Sequence, residues 1–141
     1  MSIRIGAIGV QQVAAKLLEQ GFLVSVPMVD EGYDLITDWK GKLLRVQVKS
    51  TMGATEHKAR NKLKFFAVRG PGYGYGAYLK VAKEKVTYKP RECDAFIFYH
   101  IPLQAMFAIP RHKLPKTKSI YLATNSSWRD NWDVLRNPRK G

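Results

Sequence analysis

Residues 34–51 read DLITDWKGKLLRVQVKST, and this stretch decides the fold. Apolar and polar residues alternate in RVQVKST (45–51), which is typical of a half-buried β-strand, and DLIT (34–37) is a shorter strand candidate before it. The segment DWKGK lies between the runs and contains Gly41, a pattern that favours a tight turn. The stretch therefore predicts a β-hairpin whose turn is centred near Lys40 and Gly41.

The second strand of this hairpin has an apolar face and a polar face. Side chains two residues apart share a face at a spacing of about 6.6 Å. The apolar face then holds Leu44, Val46 and Val48, and the polar face holds Arg45, Gln47, Lys49 and Thr51. Asp34 begins the first strand, and the position of the turn brings it within about two residues of Gln47 across the hairpin. An aspartate, an amide and a lysine therefore converge at one end of the hairpin.

This combination of side chains predicts a site for a hard divalent cation. Magnesium prefers oxygen ligands and keeps several waters and substrate phosphates in its coordination sphere. Lys49 would orient or activate an attacking water, or offset negative charge that develops at phosphorus. Taken singly, Asp34, Gln47 and Lys49 are each more typical of a loop edge or a solvent-exposed strand face.

The remaining segments predict a mixed α/β or α+β fold in a single domain, residues 1–141. Apolar residues at helical spacing predict an amphipathic helix over 6–20 that ends at Gly21. FLVSVP (22–27) predicts a first strand that ends at Pro27. Further strands are predicted at 63–69, 77–81, 95–101 and 105–110, and a closing helix at 126–135 with Ser126 or Ser127 as its cap.

The charge predicts a polyanionic partner. The formal net charge is +13, whereas roughly 2 to 8 suffices for the solubility of a small domain. Residues 1–51 contribute +1 and residues 52–141 contribute +12. Such clusters bind phosphates through charge neutralisation and counterion release. The alternative of a solvated basic surface without a particular ligand remains open.

The basic clusters lie in the later part of the chain, with tyrosines and prolines interspersed. The candidate DNA contacts are basic and aromatic residues in 57–64, 73–91 and 111–118: Lys58, Arg60, Lys62, Lys64, Tyr73, Tyr75, Lys83, Lys85, Arg111 and Lys113. The glycine-rich GPGYGYG (70–76) lacks the Gly-Lys-Ser/Thr ending of a nucleotide-binding loop, so we interpret it as a connector or a DNA-contacting loop.

Other function classes find little support in the sequence. No apolar run reaches membrane-spanning length and the N-terminus lacks a secretory pattern, so we expect a cytoplasmic protein that does not associate with a membrane. The single cysteine, Cys93, agrees with a reducing compartment and disfavours a thiolate metal cluster. His57, His100 and His112 are too dispersed in sequence to predict a zinc site, although folding would be able to gather them.

The residues GYDLITDWKGKLLRVQVKST resemble the signature of the PD-(D/E)xK nuclease superfamily. In that superfamily an Asp opens the second strand, and a Glu-x-Lys or Gln-x-Lys on the third strand completes the metal site. The preceding IGAIGVQQVAAKLLEQGFLVSVP looks like the helix and strand that come before it, and CDAFIFYHIPLQAMFAIP resembles a following strand pair. The Gln form resembles a branch that includes a group I intron homing endonuclease of cyanobacteria. The resemblance implies a restriction-endonuclease-like core, a mixed central sheet flanked by helices.

The resemblance also implies roles for individual residues. Asp34 becomes the principal metal ligand, Gln47 the second ligand position and Lys49 the catalytic lysine. Tyr33 stands where the motif usually has proline. Many members have a Glu on the first helix, for which this chain offers Gln11, and Glu31 is the nearest spare carboxylate.

We therefore predict a magnesium-dependent DNA endonuclease, with Mn²⁺ as a substitute metal, that hydrolyses phosphodiester bonds in double-stranded or branched DNA. Cutting both strands would require a homodimer or homotetramer, because a chain of this size holds one active site. A homing-type, site-specific enzyme is the first interpretation. The alternatives are a Holliday junction resolvase or another structure-selective nuclease, and a DNA-binding module that has lost catalysis.

Overall fold

The computed structural model describes residues 3–29, 32–53, 62–69, 86–87 and 93–138. In chain order the elements are α1 (Ile3–Glu19), β1 (Leu23–Ser25), β2 (Leu35–Trp39), β3 (Lys42–Thr51), β4 (Lys62–Phe66), β5 (Val68–Arg69), β6 (Val86–Thr87), β7 (Ala95–His100), β8 (Ala105–Pro110), β9 (Ser119–Ala123) and α2 (Asp133–Arg136). A five-stranded mixed sheet has the order β1-β2-β3-β7-β8, and the pairs β4-β9 and β5-β6 form two small sheets. The mixed α/β class predicted from the sequence is confirmed.

The first helix packs on one face of the five-stranded sheet. Its buried residues are Gly9, Val13 and Leu17, which recur every four positions and so lie along one side of the helix. The helix stops before Gly21, whose φ of 93° is a left-handed conformation that glycine adopts without strain. The predicted helix is confirmed, and it begins three residues earlier than the pattern indicated.

The predicted hairpin is confirmed with its turn at the predicted residues. Trp39 pairs with Lys42, so Lys40 and Gly41 form a two-residue loop with φ values of 51° and 87°. Positive φ at both loop residues is characteristic of the type I′ turn, whose twist matches that of the flanking strands. The Asp38 carboxylate accepts a hydrogen bond from the Gly41 backbone N–H at 2.8 Å.

The centre of the sheet is buried on both faces. β7 pairs in parallel with β3 and antiparallel with β8, and every residue of β7 and β8 is buried. The α1-side core contains Val13, Leu17, Leu35, Val46, Val48, Ile97 and Leu135, among others. The ribbon-side core, on the opposite face, joins Phe96, Phe98 and Phe107 of the sheet to Leu63, Phe65 and Leu122 of the β4–β9 pair.

Two sequence predictions in the second half of the chain need correction. The strand predicted at 63–69 is interrupted at Ala67, and its first part pairs with β9, which the sequence did not predict. The closing helix predicted at 126–135 is wrong except for its last turn. Asp130 has a φ of 54°, and its N–H donates to Met106 of β8, so this backbone bonds to the sheet instead of to itself.

Two further predictions, the strand at 77–81 and the loop at 70–76, lie outside the described residues. No helix in the described part of the chain is long and apolar enough to cross a membrane.

Candidate active site

Asp34 is held against the third strand by two hydrogen bonds. Its backbone N–H donates to the Val46 carbonyl at 2.9 Å, and its Oδ2 accepts from the Val48 N–H at 3.0 Å. These partners lie on either side of Gln47. Leu35 pairs with Val46, so extending this register by one residue places Asp34 opposite Gln47. The predicted proximity of Asp34 and Gln47 is therefore observed.

Tyr33, at the position where the motif usually has proline, has a packing role. Its side chain lies against the ribbon-side core. The residue before Asp34 is thus anchored by apolar contact, whereas a proline would restrict the same backbone through its ring. Burial of this ring would help to keep the start of β2 close to Gln47.

Gln47 has a buried oxygen without a hydrogen-bond partner. Its Oε1 is solvent-inaccessible and accepts no hydrogen bond. A buried polar atom without a partner is costly, and native proteins rarely leave one without a ligand, ion or water to satisfy it. With the Asp34 carboxylate alongside, the available donors are oxygens, the type that a hard divalent cation prefers. The donor set therefore fits a magnesium-type ion.

Lys49 follows Gln47 on the same face of β3, next to an apolar wall. In the parallel register Gln47 lies beside Phe96 and Lys49 beside Phe98. Both phenylalanines are buried, and their rings stack with centroids 5.5 Å apart and planes 7° apart. Apolar neighbours reduce the local dielectric, so the charge of Lys49 acts more strongly on nearby anions than it would in bulk water.

Comparison with known proteins shows the family and the fold of this chain. The model of the PD-(D/E)XK endonuclease family matches residues 2–134. The chain belongs to the PD-(D/E)XK endonuclease family. The solved structure of a bacterial homing endonuclease, I-Ssp6803I, is similar in fold, with a TM-score of 0.75 over 99% of this chain and 97% of that one, at 21% identity. No curated protein matches.

This PD-(D/E)XK endonuclease has an amide at a position where the acidic form of the signature has a carboxylate. Among the described residues, no group of three His, Cys, Asp or Glu side chains is placed to hold a metal ion. Asp34 is combined with an amide, Gln47, which supplies an oxygen without negative charge. Glu31, the spare carboxylate suggested by the sequence, lies outside the described residues.

Arg45 and Asp94 form an ion pair beside the site that the sequence analysis missed. The Asp94 carboxylate accepts from the Arg45 backbone N–H at 2.8 Å, from Nε at 3.1 Å and from Nη2 at 3.1 Å. Asp94 N–H donates back to the Arg45 carbonyl at 2.8 Å. Asp94 directly precedes β7, just as Asp34 directly precedes β2, and both strands are neighbours of β3. An aspartate directly before a strand was therefore the sequence signal that pointed to Asp94.

The ion pair determines the protonation of Asp94. Burial by itself raises the pKa of Asp94, but hydrogen bonds from Arg45 and the charges of Arg45 and Arg111 outweigh it, so the pKa lies below its ordinary value. The same hydrogen bonds raise the pKa of Arg45. Asp94 is therefore an ionised structural partner of Arg45, and it fastens β7 to β3 two residues before Gln47.

Gln11 is not brought to the site. Helix α1 packs on the opposite face of the sheet through Gly9, Val13 and Leu17, whereas Gln11 is exposed. Gln11 is two residues from both Gly9 and Val13, so it lies on nearly the opposite side of the helix. The neighbouring Gln12 instead accepts a 2.5 Å hydrogen bond from the Tyr99 hydroxyl. Burial raises the pKa of Tyr99, and the charge of Lys16 offsets only part of this effect.

The predicted DNA contacts divide into described and undescribed residues. Lys62 and Lys64 lie on β4, and Arg111 and Lys113 lie in a 3-10 turn directly after β8. The other candidates, Lys58, Arg60, Tyr73, Tyr75, Lys83 and Lys85, lie outside the described residues. His100 is a buried structural residue, since its Nε2 lies 2.6 Å from the Gly53 carbonyl and its Nδ1 accepts from Leu103 N–H.

Proposed function

We propose that this endonuclease hydrolyses phosphodiester bonds of DNA with a magnesium ion held by Asp34 and Gln47. The observation that supports this most is the buried Oε1 of Gln47, which has no hydrogen-bond partner and lies beside the Asp34 carboxylate. An oxygen in that position gains most from a cation. A bound divalent ion would supply Lewis-acid polarisation of the phosphate and a more acidic water.

The residues of the chain have separate tasks in this reaction. Asp34 provides the negative charge, and its hydrogen bond from the Val48 N–H fixes one carboxylate oxygen. Lys49 would orient the attacking water and stabilise the charge that develops on the phosphoryl oxygens. The water oxygen adds to phosphorus, one P–O ester bond breaks, and the leaving alkoxide takes up a proton. The products are a phosphomonoester and an alcohol.

The substrate that we propose is double-stranded DNA cut at a specific site. The charge of +13 provides the attraction to phosphates, and the similar solved structure has the name of a homing endonuclease. Because the described part of the chain offers one such site, we propose that two copies act together when both strands are cut. Branched DNA, as for a junction resolvase, is the alternative substrate that the same experiment tests.

The test incubates the wild type and Asp34→Ala with supercoiled plasmid, linear duplex and a four-way junction, each with Mg²⁺, Mn²⁺ or EDTA. We expect metal-dependent cleavage by the wild type and none by Asp34→Ala. Lys49→Ala should reduce cleavage by about 10² to 10⁴, the usual range for removing a catalytic proton-transfer or charge-stabilising group. Lys49→Ala should bind DNA as the wild type does.

Two exposed residues provide matched controls. Lys42→Ala removes another lysine of β3, and Glu19→Gln removes an acid on α1, on the other face of the sheet. Both should cleave like the wild type. Cleavage by Asp34→Ala or Lys49→Ala at the wild-type rate would reject the assigned site. Tight DNA binding without cleavage under any metal, on substrates that include long natural DNA, would favour a binding module.

A further inference from the structure

The β4–β9 pair is a two-stranded ribbon with one face buried and one face outside. Side chains alternate along a strand, so Leu63, Phe65 and Leu122 face the ribbon-side core. Lys62, Lys64, Phe66 and Tyr121 then belong to the outer face. Lys64 pairs directly with Tyr121 across the ribbon. Phe66 pairs with Ser119, so it is the diagonal neighbour of Tyr121.

Two large aromatic rings are accessible on this outer face, with a lysine between them. Phe66 is 52% exposed and Tyr121 is 42% exposed. The Lys64 ammonium lies 5.2 Å from the Phe66 ring centroid and 5.9 Å from that of Tyr121. We call Lys64, Phe66 and Tyr121 the aromatic platform. Exposed aromatics interleaved with lysine are typical of surfaces that bind single-stranded nucleic acid.

The charge around the aromatic platform favours a polyanion. Residues 62–66 and 111–123 contain no Asp or Glu, and they contain six Lys and Arg residues: Lys62, Lys64, Arg111, Lys113, Lys116 and Lys118. Lys118 directly precedes β9, and its carbonyl accepts from the Ala67 N–H after β4. Lys62, Lys64 and Lys118 therefore lie on or directly next to the same ribbon as the rings, so phosphate groups and bases would both find partners there.

The ribbon also lies on the catalytic side of the sheet. It packs against Phe96 and Phe98, which neighbour Gln47 and Lys49 in the parallel register, and β4 contacts β3. A DNA strand whose phosphate occupies the candidate active site would therefore have the ribbon next to it. The bases a few nucleotides from the cut are the natural ligands of the aromatic platform.

We propose that the aromatic platform stacks on unpaired DNA bases next to the cleavage site, an inference that rests on the proposed nuclease function. Phe66 and Tyr121 would each take the face of one base, and Lys64 with its basic neighbours would bind the connecting phosphates. Bases inside an intact duplex have both faces covered by their neighbours. The platform therefore selects DNA whose strands are separated or distorted near the cut.

The test measures equilibrium binding of fluorescein-labelled DNA by anisotropy in EDTA, where metal-dependent cleavage is off. Three DNAs of one sequence are compared: a single strand, a duplex with a central unpaired bubble, and a fully paired duplex. The proteins are the wild type, Phe66→Leu/Tyr121→Leu and Tyr121→Phe. Leucine keeps the outer face apolar but removes the ring, and Tyr121→Phe keeps the ring.

We expect the double leucine variant to bind the single strand and the bubble at least about tenfold more weakly, from the usual strength of base stacking on aromatic rings. Its binding to the paired duplex should stay within about twofold, and Tyr121→Phe should match the wild type. A 5-iodouracil placed in the bubble should crosslink to Phe66 or Tyr121. Because both rings are half exposed, the Tm of the variants should match the wild type.

Equal losses of affinity by Phe66→Leu/Tyr121→Leu on all three DNAs, or no loss on any of them, would overturn the proposal. Lys64→Gln serves as the electrostatic comparison, since it should weaken binding to all three DNAs by similar factors. Plasmid cleavage with Mg²⁺ is measured in parallel on the same preparations. Cleavage without bubble preference rejects the platform and leaves the nuclease. Bubble preference without cleavage under any metal, on substrates that include long natural DNA, rejects the nuclease and leaves the platform.

Discussion

Gln47 determines the charge of the candidate active site. A carboxylate at this position would add a second negative charge next to Asp34, whereas the amide adds none. No group of three His, Cys, Asp or Glu side chains is gathered among the described residues to compensate for it. The amide oxygen is buried and has no hydrogen-bond partner, so it is placed as a ligand would be. Under the proposed function, we infer that the metal is held more weakly here than in an acidic homologue and that its binding depends more on the substrate phosphate.

The variant Gln47→Glu tests this inference. One added negative charge about 4 Å from a cation contributes about 1 to 4 kcal/mol, depending on the local dielectric. We therefore expect the Mg²⁺ concentration for half-maximal cleavage to fall by about tenfold or more. In EDTA the Tm should fall, because the new carboxylate repels Asp34, and Mg²⁺ should restore it.

Gln11→Glu is the matched control for that experiment. Gln11 is exposed on the far side of α1, so the added charge should change neither the Mg²⁺ requirement nor the difference in Tm between EDTA and Mg²⁺. An equal shift in both variants would place Gln11 in the site. An unchanged Mg²⁺ requirement in Gln47→Glu would remove Gln47 from it.

Asp94 predicts a pH dependence of stability. Its pKa is lower in the folded protein than its ordinary value, so its ion pair stabilises the fold above the ordinary pKa, and this contribution is lost as the pH falls through the folded value. Asp94→Asn should therefore lower the Tm at pH 7 by several degrees. The difference from the wild type should begin to narrow as the pH falls to about 4, and it should close below the folded pKa of Asp94. Thermal melts across this pH range provide the measurement, and a constant difference would contradict the assignment.

At the scale of elements, the crossing of α1 over β3 fixes the position of the strand that holds Gln47 and Lys49. A Cβ added to Gly9 would lie 1.7 Å from the Ser50 Oγ and 2.7 Å from its Cβ. Only glycine permits this approach, and Ser50 directly follows Lys49. The helix is thus in contact with the back of the strand whose front holds Gln47 and Lys49, so its displacement would move the site.

Gly9→Ala should lower the free energy of unfolding by about 1 to 3 kcal/mol, the usual cost of overpacking. Gly6→Ala is the matched control, because nothing lies within 4 Å of its added Cβ. Alanine is the better helix former, so Gly6→Ala should raise the free energy of unfolding by up to about 1 kcal/mol. Urea denaturation measures both values. The double variant Gly9→Ala/Ser50→Gly should recover part of the free energy of unfolding that Gly9→Ala loses. Equal effects of Gly9→Ala and Gly6→Ala would reject the close contact between Gly9 and Ser50.

At the scale of the whole molecule, the positive charge is unevenly distributed along the chain. Residues 1–51, which include α1 and the β2–β3 hairpin, contribute +1 to the net charge of +13. The described part of the remainder places basic residues on β4 and in the segment that follows β8. We infer that the first segment provides the chemistry and that the later segments provide most of the electrostatic attraction to DNA.

This division predicts a specific salt dependence. Each phosphate contact contributes a slope of about −0.9 to the logarithm of DNA affinity against the logarithm of salt concentration. Arg111→Gln/Lys113→Gln removes two positive charges and should therefore reduce the magnitude of this slope by about 2. Arg4→Gln/Lys16→Gln removes two charges from α1, on the other face of the sheet, and should leave the slope unchanged. Equal slopes in the two double variants would contradict the division.

The sequence by itself determined the parts of this protein that depend on neighbouring residues. Turn chemistry at Lys40 and Gly41 sets the register of β2 and β3, and that register places Asp34 opposite Gln47. Strand alternation then assigns Lys49 to the same face. These features are predictable because local backbone preferences and a two-residue side-chain period fix them without reference to distant segments.

Only the tertiary structure decided the contacts between distant segments. Asp94 meets Arg45 because β7 pairs in parallel with β3, and Tyr121 meets Lys64 because β9 pairs with β4. The pattern at 126–135 predicts a helix, but hydrogen bonds to β8 hold most of that segment in another conformation. Pairings of this kind are selected by burial and hydrogen bonding over the whole core, which outweigh local propensity, and so no short stretch of sequence specifies them.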